Sequence, residues 1–377
     1  MDLGLSQEQN MLRMSARNFF EKECPMTLVR GMEEDERGYS PELWLKMVEL
    51  GWMGVVIPEE YGGIGGNFLD LMVLLEEMGR VLLPGPFFST VVLGALPILA
   101  AGTTTQKEEF LPKIANGEMI LTLALTEISA RHDAAGIEVR AAAEGDDYII
   151  TGTKLFVQNA HVSDYLVCAT RTRDGASPEE GITLFLVNSK NPGISRTILE
   201  TIAADKQCEV IFDNVRIPGE NILGELDKGW SVLEKITQQA AVATCALMLG
   251  GAYQVIKMTV AYAKERVQFG RPIGSFQAIQ HKCADMATEI DGARYIAYQA
   301  AWKISECLPS AMEVSMAKAW VSEAYRRTCR QGHQIHGGIG FTEEHNMGLY
   351  FRRAKAMEVA FGDADYHREL VAQQIDL

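Results

Sequence analysis

Several residues in this chain are of types, and at spacings, that suit chemistry. Between Lys264 and Ala287 the sequence reads KERVQFGRPIGSFQAIQHKCADMA, in which Arg266 and Arg271 flank the aromatic Phe269. A planar guanidinium can grip a pyrophosphate through two parallel N–H···O bonds, and the ring can cover an adenine or ribose. The plainer alternative is a solvated helix end. Further on, Gln334 to Phe341 reads QIHGGIGF, and the glycines Gly337 and Gly338 would let backbone N–H groups approach a phosphate or ribose. His132 and His367 could act as bases, although a surface histidine is the commoner case. His333 and His336 have the three-residue spacing of metal ligands but no nearby third ligand, so no metal is expected.

These residues need elements to place them. Leu249, Ala252, Ile256, Thr259 and Ala263 recur at helical spacing before the basic stretch, as do Phe276, Ile279, Cys283, Met286, Ile290, Ala293 and Ala297 after it. The pattern predicts two long helices joined by an elbow holding Gly270, Pro272 and Gly274. From Gly229 onward long helices joined by short turns predict an antiparallel four-helix bundle, with Gln334 near the end of its third helix.

The first 117 residues are also helical in pattern. Ser6 with Glu8 and Gln9 opens a helix, Ser40-Pro41-Glu42 opens another, and Leu71 to Arg80 forms one that breaks at Leu83-Pro84-Gly85-Pro86. Phe87 to Ala101 predicts a buried helix kinked at Pro97, and Gln106 to Ile114 an amphipathic one. Between about 118 and 226 the period changes to two. Six strands are expected there, near 120–126, 148–151, 165–170, 182–187, 193–197 and 208–215, as a small barrel or sandwich, with an exposed loop at 174–181. The expected architecture is mostly α with a central β domain: N-terminal helices (1–117), a small β-barrel (118–226) and a C-terminal four-helix bundle (227–377).

The chain has 377 residues, 47% of them apolar, and a formal charge of −15. That charge argues against nucleic acid or an anionic membrane as partner. Apolar runs such as Val91 to Ala101 fall short of a bilayer span, and the N-terminus lacks a basic-then-apolar signal. The expected location is the cytoplasm, of a bacterium if the chain is a mature one starting at Met1. Seven scattered cysteines without a CxxC pair suit reduced thiols.

The string Glu265-Arg266-x-Gln268-Phe269-Gly270-x-Pro272-Ile273, with Phe276-Gln277 and Ala284-Asp285-Met286 after it, resembles the signature of the acyl-CoA dehydrogenase flavoproteins. So do Pro58-Glu59-x-Tyr61-Gly62-Gly63-x-Gly65, Tyr148 to Lys154, Phe212 to Gly224, and Gln334-x-x-Gly337-Gly338-x-Gly340. The matching strings run from Pro58 to Gly362, nearly the whole chain. The resemblance implies FAD, with Arg266, Phe269, Gln334, Gly337 and Gly338 reaching the FAD of a neighbouring subunit. It implies an acyl-CoA substrate, desaturated between Cα and Cβ, and electrons passed to an electron-transfer flavoprotein.

In that family a carboxylate removes the α-proton while the β-hydrogen leaves as hydride to the flavin, so the base must be desolvated and well aimed. Counting from Arg353-Ala354-Lys355, the usual glutamate position falls on Phe361, before Gly362, and a phenyl ring cannot take a proton. The alternative position on the first bundle helix falls near Ala240. Thr126-Glu127 matches the opening of the family's substrate loop, but Ile128 to Asp133 departs from it. Phe156-Val157-Gln158 stands where a Trp-x-Thr string usually borders the flavin ring, and Asp363 and Asp365 replace a threonine and a glutamine that touch FAD.

Three readings follow. The chain resembles the smaller, base-lacking partner of heterotetrameric dehydrogenases of the pimeloyl-CoA or sterol-side-chain type, where FAD lies at the interface with a larger homologous subunit. Alternatively it is a self-sufficient homotetrameric dehydrogenase with a relocated acid, Asp363 first, then Asp365, Glu358 and Glu127; Asp363 as a helix cap is the plainer role. Or it is a family member with changed chemistry, or a flavin-free scaffold of the same fold.

Overall fold

A computed structural model describes residues 4–376. Helices α1 (Gln7–Glu23), α2 (Met26–Glu34), α3 (Pro41–Glu49), α4 (Phe68–Arg80), α5 (Phe87–Thr90), α6 (Leu96–Ala101) and α7 (Thr104–Ala115) come first. Strands follow: β1 (Leu121–Ala124), β2 (Arg140–Glu144), β3 (Asp147–Gln158), β4 (Tyr165–Arg171), β5 (Ile182–Asn188), β6 (Ile194–Leu199), β7 (Gln207–Pro218) and β8 (Ile222–Leu223). Helix α8 (Gly229–Glu265), a hairpin β9 (Val267–Gln268) and β10 (Arg271–Pro272), and helices α9 (Gln277–Ser305), α10 (Ala311–His336), α11 (Met347–Val359) and α12 (Ala364–Gln374) complete the chain. The protein thus has an N-terminal helical part, a central sheet and a C-terminal helical part.

Local chemistry accounts for the helix starts. Ser6 Oγ accepts from Gln9 N at 3.1 Å while Gln9 Oε1 accepts from Ser6 N at 3.0 Å, a reciprocal cap. Ser40 Oγ caps α3 through Leu43 N, with Pro41 at the first helical position. Thr103 and Gln106 form a second reciprocal cap, at α7, that the sequence reading passed over. At Pro97 the expected kink takes a different form: Val91–Ala95 winds as a π-turn between α5 and α6. Proline lacks an N–H and its ring would press on the carbonyl four residues back, and one wide turn removes both conflicts.

The chain divides into two compact units. One takes the N-terminal stretch up to Gly31, Phe68–Leu83 and everything from Ala241; the other takes Met32–Asn67 and Pro84–Ala240. In the second unit all eight strands form one sheet in the order β6-β7-β3-β2-β4-β5-β8. Strand β4 gives one edge to β5 along its length; on the other, Tyr165 to Cys168 pair with β1 and Arg171 with β2. The strands β2 and β8, and the two short hairpin strands, were not foreseen: Arg140-Ala-Ala-Ala-Glu144 carries no β-branched residue, and the others are two residues long. Phe185, Phe212, Ile150, Val210 and Cys208 fill the sheet's core. Each large apolar side chain of this kind contributes about 2 kcal/mol by leaving water.

In the first unit α10 packs against α9, α11 and α12, and α4 against α1 and α9. Helix α8 is long and apolar enough to cross a membrane by length and composition, unlike the shorter run from Val91 to Ala101, but 78% of its apolar window is buried inside the protein, as in a core helix.

Candidate functional site

The elbow is a two-residue hairpin. Gln268 pairs with Arg271 and Val267 with Pro272, so Phe269 and Gly270 form the turn, both with positive φ (53° and 76°). Such a turn suits asparagine or glycine, and a phenylalanine there costs about 1–2 kcal/mol. The ring is nevertheless 94% exposed, so burial does not offset the strain. An aromatic strained and displayed in this way is geometrically available to a ligand or partner. Arg271 lies over the Phe276 ring at 4.2 Å, whereas the exposed guanidinium of Arg266 has no hydrogen bond or ion pair among the described residues. The predicted pair of arginines therefore splits into one engaged cation and one available one.

The glycine string begins where α10 ends. Gln334 is exposed on its last turn, while His333 and His336 point inward, each donating Nδ1–H to the carbonyl four residues back, Cys329 at 3.0 Å and Gly332 at 2.8 Å. His336 stacks on Tyr262 at 4.5 Å, and burial holds its pKa below the usual value. His345, which the sequence reading did not connect, sits 4.6 Å from His336. Among the described residues no group of three or more His, Cys, Asp or Glu is arranged to hold a metal. Gly337 has φ 64° and ψ −143°, a conformation reserved for glycine. A Cβ at Gly337 or Gly338 would meet nothing within 4 Å, so this backbone faces open space.

After α11 the chain turns through Phe361 (φ 56°) and Gly362 (φ 95°). Phe361 is half-buried. Asp363 is exposed at the N-cap of α12, where its carboxylate accepts from Tyr366 N at 2.9 Å. Asp365 pairs with Arg368, and Glu358 with Arg326 and Lys355. His367 is buried against the turn and bonds Phe361 O and Ser315 Oγ.

In the other unit, Thr126 follows β1 and takes Leu155 N on its carbonyl at 2.8 Å. Glu127 is buried. Lys154, fully buried, donates to it at 2.6 Å, and the backbone N–H groups of Glu138 and Val139 complete its shell. That carboxylate anchors the loop that follows β1. His132 lies on that exposed loop, near an Arg131–Asp133 pair. Phe156 stands at a bulge in β3, where pairing with β7 slips between Lys154 and Val157; its φ is 55° and its side chain 52% exposed. Bulges re-aim side chains, and this one turns a ring outward. Gln158, half-buried two residues on, has no side-chain partner among the described residues.

Two buried lysines have no role assigned from the sequence alone: Lys154, at the end of the Tyr148 to Lys154 string, and Lys318, both completely buried. Lys318 carried a legible signal: it interrupts the apolar stripe Val314, Ala317, Val321 and Tyr325, where a lysine needs compensation.

The available arginine, the displayed Phe269, the exposed Gln334 and the open glycine backbone together fit a dinucleotide-like cofactor such as FAD: a cation for its pyrophosphate, a ring for its adenine, and amide donors for its polar groups. Models of the acyl-CoA dehydrogenase N-terminal, middle and C-terminal domains match residues 6–118, 122–215 and 227–375. The chain is 35% identical to a probable acyl-CoA dehydrogenase, YngJ, of Bacillus subtilis, over all of both chains. Butyryl-CoA dehydrogenase of Megasphaera elsdenii superposes with a TM-score of 0.93 at 30% identity, covering all of both chains. A chain of the ChsE4-ChsE5 complex of Mycobacterium tuberculosis superposes with a TM-score of 0.91 at 28% identity, covering 100% of this chain and 99% of that one. With its elbow, glycine turn and three matched domains, the chain belongs to the acyl-CoA dehydrogenase family, whose members are oxidoreductases that use FAD.

Proposed function

We propose that this chain is the base-lacking subunit of an FAD-dependent acyl-CoA dehydrogenase, completing a flavin site together with a larger homologous subunit in a heterotetramer. The observation that carries the reading is Phe361: the turn that holds the family's glutamate is built here around a phenyl ring. Bound flavin would supply the hydride acceptor, and the electrons would leave to an electron-transfer flavoprotein. Arg266 and Phe269 would hold the ADP end of a neighbour's FAD, with Gln334, Gly337 and Gly338 beside it. Phe156 and Gln158 would border a flavin ring, Phe361 and Gly362 would face the thioester, and Thr126 with Glu127 would open the substrate loop, which Glu127 anchors on Lys154. The three domains are taken as 1–117, 118–226 and 227–377, and the location as the cytoplasm.

Resemblance to a chain of the ChsE4-ChsE5 complex supports a heteromer. A self-sufficient homotetramer with Asp363 as base is less well supported, since that carboxylate already caps α12 and Glu127 is locked to Lys154. Purified alone, the chain should carry little flavin, and co-expression with a larger homologue should restore about one FAD per site. Stoichiometric FAD in the homomer, with turnover on an acyl-CoA, overturns the proposal.

A further inference from the structure

The turn at Phe361 and Gly362 places two consecutive residues in left-handed backbone, one of them a phenylalanine. A Cβ on Gly362 would overlap the Tyr366 ring and come within 2.9 Å of His367 Nε2. Something must hold this conformation, and two buried donors do. Lys318 of α10 gives its three N–H groups to Gly362 O at 2.7 Å, Glu358 O at 3.0 Å and Ser322 Oγ at 3.2 Å. His367 of α12 gives Nε2–H to Phe361 O at 2.9 Å, and its Nδ1 meets Ser315 Oγ at 3.3 Å, one turn before Lys318. A carbonyl only accepts, so the imidazole tautomer is set by Phe361 itself.

The chemistry is unusual for a mere packing position. Lysine is almost never completely buried unless paired, and this one spends its charge on backbone carbonyls at the end of α11, where the helix dipole is negative. Around the ammonium stand the Cys245 thiol of α8, the Glu358 carboxylate of α11 and Asp363 at the start of α12. Burial lowers its pKa to about 8, yet with all three protons donated it serves as a donor.

We propose that Lys318 and His367 are positioning residues: together they clamp the carbonyls of Phe361 and Gly362 and so fix where residue 361 and the adjoining backbone point. The inference deepens the reading of this turn as the thioester-facing one and rests on it for its functional consequence, but the clamp can be tested separately. Hydrogen exchange is measured on the full chain for wild type, Lys318→Met, His367→Leu and His367→Gln. The glutamine keeps an amide donor at about the imidazole's reach, whereas leucine and methionine have none. Expected is at least tenfold faster exchange of amides 360–364 in Lys318→Met and His367→Leu, near-wild-type exchange in His367→Gln, and unchanged protection in the middle of α10. Unchanged exchange at 360–364, an equal rise along all of α10, or no rescue by glutamine overturns the clamp. Should Lys318→Met fail to fold, the two His367 variants decide alone. The same variants, co-purified with FAD and the larger subunit, are titrated with butyryl-CoA. Weakening at least fivefold in His367→Leu but not His367→Gln supports both the clamp and the functional reading. A loosened turn with unchanged butyryl-CoA affinity supports the clamp and overturns the thioester-facing assignment.

Discussion

At the scale of single residues, Asp363 separates two roles that share one carboxylate. As an N-cap it accepts Tyr366 N at 2.9 Å, and asparagine can do the same. Asp363→Asn should therefore leave stability within about 0.5 kcal/mol and leave turnover of the FAD-loaded assembly intact, while Asp363→Ala costs about 1 kcal/mol in thermal or urea unfolding. If Asp363→Asn kept its flavin spectrum but lost acyl-CoA turnover, the acid would be catalytic and the base-lacking reading wrong. Glu127 answers differently, because its partner is fully buried. Glu127→Ala strands the Lys154 ammonium in the core and should destabilise the chain by about 3–5 kcal/mol, the range for breaking a buried pair from one side. A loss below about 1 kcal/mol in urea unfolding would show that water reaches Lys154.

At the scale of elements, the hairpin between α8 and α9 stands on a conflict: its tip residue suits neither the turn nor water. Because Phe269 is 94% exposed, Phe269→Ala should leave the isolated chain's stability within about 0.5 kcal/mol. Arg266→Ala should lower FAD retention in the assembled protein by about 10- to 100-fold, the worth of a charge-assisted bond, read from the flavin-to-protein absorbance ratio after gel filtration. Equal retention would remove Arg266 from the cofactor's contacts. This hairpin was legible in the sequence as an elbow because glycine and proline punctuate it between two periodic stretches. Its display of Phe269 was not legible, since exposure depends on what else packs nearby. Strands β1, β3, β4, β5, β6 and β7 could be read for the same local reason, and β2 could not, because its alanines gain strand form only from pairing with β3. Phe361 as the base position came from resemblance. The donors holding that turn come from α10 and α12, 43 and 6 residues away in sequence from Phe361, and no local pattern joins them.

At the scale of the whole molecule, the buried ionisable groups set how stability varies with pH, and they pull in opposite directions. A thiol whose pKa is raised by folding contributes stability that is complete below its unfolded pKa and is lost as pH rises toward the folded one. Burial pushes Cys24, Cys168 and Cys245 up to about 12, against ~8.5 in an unfolded chain, so their contribution drains away from about pH 8.5 upward. Lys318 does the reverse. Its folded pKa of about 8 lies below the ~10.4 of a free lysine, so the unfolded chain binds the proton more tightly and stability rises between those values. Near pH 10 each thiol has cost about 2 kcal/mol and the lysine has returned about 2.5 kcal/mol, so the three thiols prevail. The expected thermal melting temperature falls between pH 8 and pH 10, and Lys318→Met, stripped of the opposing group, falls more steeply than wild type over the same interval. A shallower decline in Lys318→Met would mean that the lysine is not held in a desolvated site, and would separate the clamp's hydrogen bonds from the burial that distinguishes them.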